Sequence, residues 1–264
     1  MTLLTAIMLA GPMEQFEIMQ IIPFHVGNLD LSFTNSALWM VIGVVAISVF
    51  MFMATRRLSL VPGRTQSAGE SIYIFIADML RGVAGSEGMK FFPYIFTLFM
   101  FIFASNLLGL WPSIPGTPAE WHTFTPTSHL IVTFALGMVT FTLVVVYGFY
   151  KNGLGFLKLF VPSGVPILML PLITLIEIVS FLSRPISLGI RLFANMLAGH
   201  LILKIFATFV ASLLVAGPWA LLSILPFMGN VAVLLLELLI AFLQAYVFAI
   251  LSCIYINDAI HPSH

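Results

Sequence analysis

The apolar run from Val165 to Val215 constrains the fold more than any other stretch, because it is far longer than one membrane crossing requires. As a single helix it would extend about 75 Å, whereas the hydrocarbon core of a bilayer is about 30 Å thick. The sequence allows either two spans broken near Ser183-Arg184-Pro185, or one long helix that is steeply tilted or nearly horizontal and kinked at Pro171 and Pro185. A second long apolar run follows this one in the chain. The two runs together are predicted to form a long, tilted hairpin over residues 165–258.

Composition identifies lipid as the solvent of this chain. Of its 264 residues, 61% are hydrophobic and 8% are charged, with a mean hydropathy of +1.12, whereas soluble domains carry about 25% charged residues. Ten basic residues balance ten acidic ones without a basic cluster, so we expect no nucleic-acid partner. A single cysteine, Cys253, and the absence of zinc-ligand spacing argue against disulfide and zinc chemistry. The sequence has no phosphate-binding loop of the GxxxxGK type, so we expect no bound nucleotide. Separately, we expect no metal and no cofactor.

Length and periodicity predict an all-α, polytopic membrane protein with a single membrane domain over residues 1–264. Residues 37–55 are long and apolar enough for a first upright span, and residues 91–150 for a two-span hairpin. Residues 70–90 combine charges with an apolar stripe at helical spacing, which is typical of an amphipathic helix lying in the membrane interface. The stripe consists of Ile72, Phe75, Ile76 and Met79.

The Lys and Arg residues up to Lys158 all fall on one side of the predicted spans, which indicates the orientation of the chain. We predict an external N-terminal segment at 1–36, internal loops at 56–90 and 151–165, and an internal C-terminus. The run Leu3–Ala10 is too short to span and lacks the charged region of a signal peptide, so a cleaved leader stays open but unsupported.

Arg191 lies inside the long apolar run, where an arginine costs roughly 2.5–3.5 kcal/mol on insertion scales. It requires a partner, and the alternative is a structural ion pair or a snorkelling side chain. Glu177, Arg184 and Arg191 are seven residues apart, so an unbroken helix would align them on one face, which Asn195 would share. Glu177 and Arg184 could instead simply neutralise each other.

His200 follows Arg191 by nine residues and therefore faces the opposite side of a helix. On the other arm of the hairpin, Glu237 and Gln244 are seven residues apart and can form one polar stripe. An imidazole and a carboxyl group in apolar helices are what a proton path requires, because both can change charge near physiological pH. We predict that His200 and Glu237 lie close together across the hairpin.

Several sequence motifs of this chain resemble those of subunit a of the F-type ATP synthase, of the alphaproteobacterial or mitochondrial type. The resemblance covers nearly the whole chain. It rests on Ser187-Leu-Gly-Ile-Arg-Leu-Phe-Ala-Asn-Met-Leu-Ala-Gly-His200, Gln244-Ala-Tyr-Val-Phe248 and Cys253-Ile-Tyr-Ile-Asn-Asp258. It extends to Gln15-Phe-Glu-Ile18, Phe33-Thr-Asn-Ser36, Phe124-Thr-Pro-Thr-Ser-His129 and Asn152-Gly153.

This resemblance implies a proton-translocating stator subunit beside the rotating ring of c subunits, with two offset half-channels. It implies that Arg191 is the essential coupling residue facing the ring carboxylate, with polar residues near it at Asn195 and Gln244. The half-channel positions implied are Glu177, His200 and Glu237. In one departure, Gly109 stands where some relatives carry an acidic residue, which leaves the inlet-side contribution of the second span open.

The resemblance also implies partners: the c ring, b-type subunits of the peripheral stalk, other ATP synthase subunits and membrane lipid. The chain would then be non-catalytic by itself, in an energy-transducing inner membrane, with a bacterial membrane favoured over a mitochondrial one. The coupling ion, H⁺ or Na⁺, stays open. The alternatives are a self-contained secondary transporter with Arg191 binding an anionic substrate, although the halves show no repeat, and a purely structural membrane anchor.

Overall fold

The computed structural model describes residues 17–26, 29–30, 32–56, 59–111, 124–161, 166 and 168–261 of the chain. Within these ranges the fold is all-α, as predicted, apart from four very short strands. The α-helices are α1 Asn35–Thr55, α2 Arg64–Gly88, α3 Phe92–Gly109, α4 Leu130–Asn152, α5 Leu170–Val215 and α6 Ile224–Ile260. The 3₁₀ segments are Met89–Phe91, Pro126–Ser128, Gly153–Phe160 and Gly217–Ser223.

Several sequence features used above lie outside the described residues. They are the apolar run Leu3–Ala10, the first half of the motif Gln15-Phe-Glu-Ile18, Val165 at the start of the long apolar run, and the last three residues of the predicted internal C-terminus. The predictions that depend on them stay predictions.

The segment before α1 forms two antiparallel strand pairs. Strand β1 (Gln20–Ile22) pairs with β4 (Phe33–Thr34), and β2 (His25–Val26) pairs with β3 (Leu29–Asp30). Asn35, the first residue of α1, ties the segment to the helix. Its side-chain oxygen accepts hydrogen bonds from the backbone N–H groups of Met19 and Ser36, and its amide donates to the Glu17 carbonyl at 3.0 Å.

Helix α5 is a single helix of 46 residues with Pro185 inside it. At about 1.5 Å per residue it is roughly 69 Å long. The single-helix alternative is therefore confirmed over Leu170–Val215, and a break near Ser183-Arg184-Pro185 is wrong, while the tilt of the helix stays a prediction. Pro185 lacks one backbone hydrogen bond, which a membrane helix can tolerate where a neighbour packs against it. Helix α4 packs there, since a Cβ added to Gly137 would stand 2.7 Å from the Pro185 carbonyl oxygen.

Helix α2 begins six residues before the predicted start at position 70 and is interrupted at Gly85, whose φ of 63° is left-handed. Near this start, the Gln66 side-chain amide donates to the Ser59 carbonyl and to the Glu70 carboxylate, which ties the first turns of α2 to the preceding segment. Of the predicted apolar stripe, Ile76 is fully buried but Phe75 is exposed, so the buried face is turned slightly from the predicted one. Its placement in the membrane interface stays a prediction.

Five helical stretches in the described part of the chain are long and apolar enough to cross a membrane. They are Asn35–Thr55, Arg64–Gly109, Leu130–Phe160, Leu170–Val215 and Gly217–Ile260. The first agrees with the predicted span 37–55 to within two residues. The protein is thus a multi-pass membrane protein.

The helices pack into two compact units, and the two longest helices contribute to both. The first unit comprises Met1–Ala46, Ile102–His129 and Phe193–Gln244. The second comprises Ile47–Phe101, Leu130–Leu192 and Ala245–His264.

Candidate proton-transfer site

The first unit contains a cluster of polar side chains buried between apolar helices. Ser105, Asn106, Thr127 and Glu237 are each at most 2% exposed; three of them lie in long apolar helices, and Thr127 lies in the 3₁₀ segment Pro126–Ser128. A polar group buried in this way costs free energy unless it finds a hydrogen-bond partner. The partners of this cluster therefore indicate which groups are structural and which are available for chemistry.

Asn106 is the structural centre of the cluster. Its amide nitrogen donates to the Ala241 carbonyl of α6 at 3.3 Å, and its amide oxygen accepts from the Thr127 hydroxyl at 2.6 Å. Asn106 thereby joins α3, the 3₁₀ segment Pro126–Ser128 and α6. No role for Asn106 was predicted from the sequence, although the adjacent polar residues Ser105 and Asn106 within an apolar span were the available signal.

His200 is held by a hydroxyl group. Its Nε2 lies 2.8 Å from Thr125 Oγ1, and which atom donates depends on the imidazole tautomer. Thr125 is buried and directly precedes the 3₁₀ segment. The described hydrogen bond of the His200 ring thus leads to Thr125, which sequence reasoning did not single out.

Glu237 is 2% exposed and packs against the backbone of Gly199. A Cβ added to Gly199 would stand 1.4 Å from Glu237 Oε1 and 2.0 Å from Cδ, so only glycine leaves room for this carboxyl group. The carboxyl lies beside the residue that precedes His200 in the chain. Among the described residues, Glu237 Oε2 has no hydrogen-bond partner.

Arg191, in the second unit, is exposed. Its neighbours Leu188 and Leu192 are buried, so Arg191 lies on the exposed side of α5. The described residues supply Arg191 with no hydrogen bond or ion pair, and the same holds for the half-buried Asn195, Gln244 and Glu177. The roles that the resemblance implies for these four residues stay predictions.

Arg184 is different, because it has a partner that the sequence analysis did not name. Its guanidinium lies 2.8 Å from the Asp258 carboxylate and 4.8 Å from the ring centroid of Tyr255. The suggestion that Arg184 is neutralised by Glu177 is therefore wrong. The ion pair joins α5 to the end of α6 and leaves Arg184 with a structural role.

The described residues contain no group of three or more His, Cys, Asp or Glu side chains that could hold a metal ion. The fold and these residues together define a multi-pass membrane protein with titratable side chains inside its helices. The family model described as ATP synthase A chain matches residues 37–257. The chain belongs to this family, which confirms the resemblance.

Curated relatives agree over nearly the full length. A protein named ATP synthase subunit a from Mesorhizobium japonicum is 57% identical over 254 residues, covering 96% of this chain and 97% of the relative. Proteins of the same name from Chelativorans sp. and Maricaulis maris are 55% and 54% identical, covering 97% and 96% of this chain and 100% and 98% of their own lengths. These relatives come from alphaproteobacteria.

Proposed function

We propose that this chain is the proton-translocating stator subunit of an F-type ATP synthase in a bacterial inner membrane. Family membership supports the stator assignment, and the titratable groups buried in apolar helices support proton transfer. Its partners are a ring of c subunits, b-type subunits of the peripheral stalk and the other synthase subunits. The chain binds no nucleotide and moves protons while the partner subunits carry out ATP chemistry.

The observation that carries the proposal is the contrast between the two arginines of α5. Arg184 has an ion pair with Asp258 and two aromatic neighbours, whereas Arg191 is exposed on an apolar helix without an ion pair in the described chain. An arginine facing lipid alone would cost at least roughly 2.5–3.5 kcal/mol. The physical resolution is a carboxylate on another chain, which is what the c ring supplies.

Ring rotation then follows from electrostatics. A ring carboxyl group that faces lipid stays protonated, because the ionised form is heavily penalised there. Opposite Arg191 the carboxylate is stabilised, so its proton leaves through one half-channel, and a proton from the other half-channel restores the neutral form. His200 and Glu237 line one half-channel, Glu177 contributes to the proton path, and Asn195 and Gln244 flank Arg191.

The membrane potential supplies work of about 2.3 kcal/mol per charge per 100 mV. This work is usable only if protons cannot pass directly between the half-channels. The fixed charge of Arg191 provides that barrier, and a barrier of about 4 kcal/mol slows a leak roughly a thousandfold.

Substitution of Arg191 tests the proposal. Arg191→Ala should abolish ATP synthesis while vesicles stripped of the catalytic head become roughly a thousandfold leakier to protons. Arg191→Lys should couple poorly, because a lysine that is desolvated at the contact with the ring can lose its proton and lacks the guanidinium fork. Arg184→Ala is the matched control, an arginine on the same helix that should weaken assembly without opening a leak.

The outcomes separate the two roles of Arg191. An alanine variant that assembles and still synthesises ATP overturns the proposal. An alanine variant that is inactive but as proton-tight as the wild type would refute the barrier role of Arg191 and leave its stabilisation of the ring carboxylate intact. The purified chain should be inert without its ring, whereas a secondary transporter would be active alone.

The His200 and Glu237 pair has its own test. Replacing either residue with an apolar one should slow proton-driven synthesis and change its pH profile, because each variant removes one titratable group. Exchanging the two residues should restore part of the rate. Wild-type rates and pH dependence in both single variants would show that His200 and Glu237 only pack in the structure and take no part in proton transfer.

A further inference from the structure

Gly109 and Thr125 share one side-chain space at the end of α3. A Cβ added to Gly109 would stand 1.8 Å from Thr125 Oγ1, 2.7 Å from its Cβ and 2.8 Å from its Cγ2. These contacts involve the whole threonine side chain and not only its tip. Any side chain at position 109 must therefore displace Thr125 from its present place.

The backbone carbonyl of Thr125 is held by two hydrogen bonds from Ser128. The Ser128 backbone N–H donates to it at 3.0 Å and the Ser128 hydroxyl at 2.7 Å. The same short segment is joined to α3 by the Thr127 to Asn106 hydrogen bond. The position of the Thr125 hydroxyl is thus set by a well-connected segment, and the hydroxyl is directed at His200 Nε2.

A hydroxyl group suits a histidine that changes its protonation state. It can donate a hydrogen bond to an unprotonated ring nitrogen and accept one from a protonated ring nitrogen, so it remains a partner in both states. The titratable groups on the elements around His200 are Glu237 on α6, Lys204 one turn along α5, and His129 after the 3₁₀ segment, which stacks on Phe124.

We propose that Thr125 is a positioning residue for His200, and that residue 109 is glycine because the Thr125 side chain takes its space. This inference rests on the proposed function, since it assigns a task to His200 in proton transfer. The hydroxyl holds the imidazole orientation through the protonation cycle. Gly109 contributes to the proton pathway by leaving space for the Thr125 side chain.

Two substitutions of Thr125 in the assembled complex separate the hydroxyl from the packing. Thr125→Val keeps the shape and removes the hydroxyl, so proton-driven synthesis should slow about tenfold. The pH of half-maximal rate should move by about half a unit, a threefold change in the ratio of protonation states. Thr125→Ser keeps the hydroxyl and should retain most of the rate and the wild-type pH profile.

Thr140→Val is the matched control, because Thr140 is also a buried threonine whose hydroxyl has a side-chain partner, the Tyr94 hydroxyl at 2.7 Å, although Thr140 lies within α4. It should leave the pH profile unchanged. Assembly of every variant is checked by native electrophoresis before rates are compared.

Position 109 supplies an independent test. Gly109→Ser forces the Thr125 side chain away and should impair the complex as much as Thr125→Val does. Gly109→Ser combined with Thr125→Gly empties the space and returns a hydroxyl to it, so part of the rate should recover.

The results distinguish this inference from the proposed function. A wild-type pH profile in Thr125→Val, or equal impairment in Thr125→Ser and Thr125→Val, overturns the positioning role of the hydroxyl. Failure of the double variant to exceed either single variant overturns the shared-space argument. None of these results touches the coupling role of Arg191, which stands or fails on the leak measurement.

Discussion

Gly199→Ala is the smallest change that should disturb the buried carboxyl group of Glu237. The new methyl carbon would stand 1.4 Å from Oε1, 2.0 Å from Cδ and 2.6 Å from Oε2, all well below an ordinary contact distance of about 3.5–4.0 Å. The methyl group adds hydrophobic surface and removes no hydrogen bond. Its whole effect should therefore come from displacing the carboxyl.

The size of the effect follows from the cost of overpacking. Forcing an extra carbon into a filled interior typically costs about 1–3 kcal/mol. If the native carboxyl position is required for proton transfer, that cost converts to a roughly 5- to 150-fold slower rate. We expect proton-driven ATP synthesis in inverted vesicles to fall within this range, with the complex still assembled.

Gly82→Ala provides a matched control within α2. A Cβ at position 82 meets no atom within 4 Å, so this variant should assemble and synthesise ATP normally, with a local helix gain of about 1 kcal/mol. Combining Gly199→Ala with Glu237→Asp shortens the displaced side chain by one methylene and should recover part of the rate. A Gly199→Ala complex with wild-type rate and pH profile would refute the assigned position of Glu237.

Two further predictions concern the orientation of the chain in the membrane and the ion pair between Arg184 and Asp258. In a cysteine-free background, cysteines at Ser59 and at Ser113, which lies outside the described residues, should be labelled from opposite sides of the membrane. Labelling of both from the same side would contradict the orientation inferred from the Lys and Arg distribution. Asp258→Asn should destabilise the complex by roughly 1.5–3 kcal/mol through loss of the charged hydrogen bond with Arg184, measured as a lower dissociation temperature in detergent. Exchanging Arg184 and Asp258 should restore part of that loss, and an unchanged temperature in the single variant would show that the pair contributes no stability.

The sequence was sufficient for features that depend on local properties. The first span was predicted to within two residues of α1, because its bounds follow from the length of an apolar run and the arginines beyond it. The all-α class follows from the same reasoning, since helices satisfy their own backbone groups in lipid. Arg191, His200 and Glu237 were found as charges or titratable groups in apolar surroundings, which needs no knowledge of their neighbours.

Other features depend on which distant residues meet, and only the tertiary structure decided them. Arg184 could have paired with Glu177 on its own helix, but its partner Asp258 is 74 residues away. The effect of Pro185 was equally undecided, because whether a proline ends a helix depends on the neighbour that packs against it. The bond between Thr125 and His200 joins residues 75 apart, and it exists because Gly109 has no side chain to occupy the space between α3 and the following 3₁₀ segment. A sequence shows which side chains are polar, but the choice of hydrogen-bond partner depends on distances of a few tenths of an ångström that only the packed helices determine.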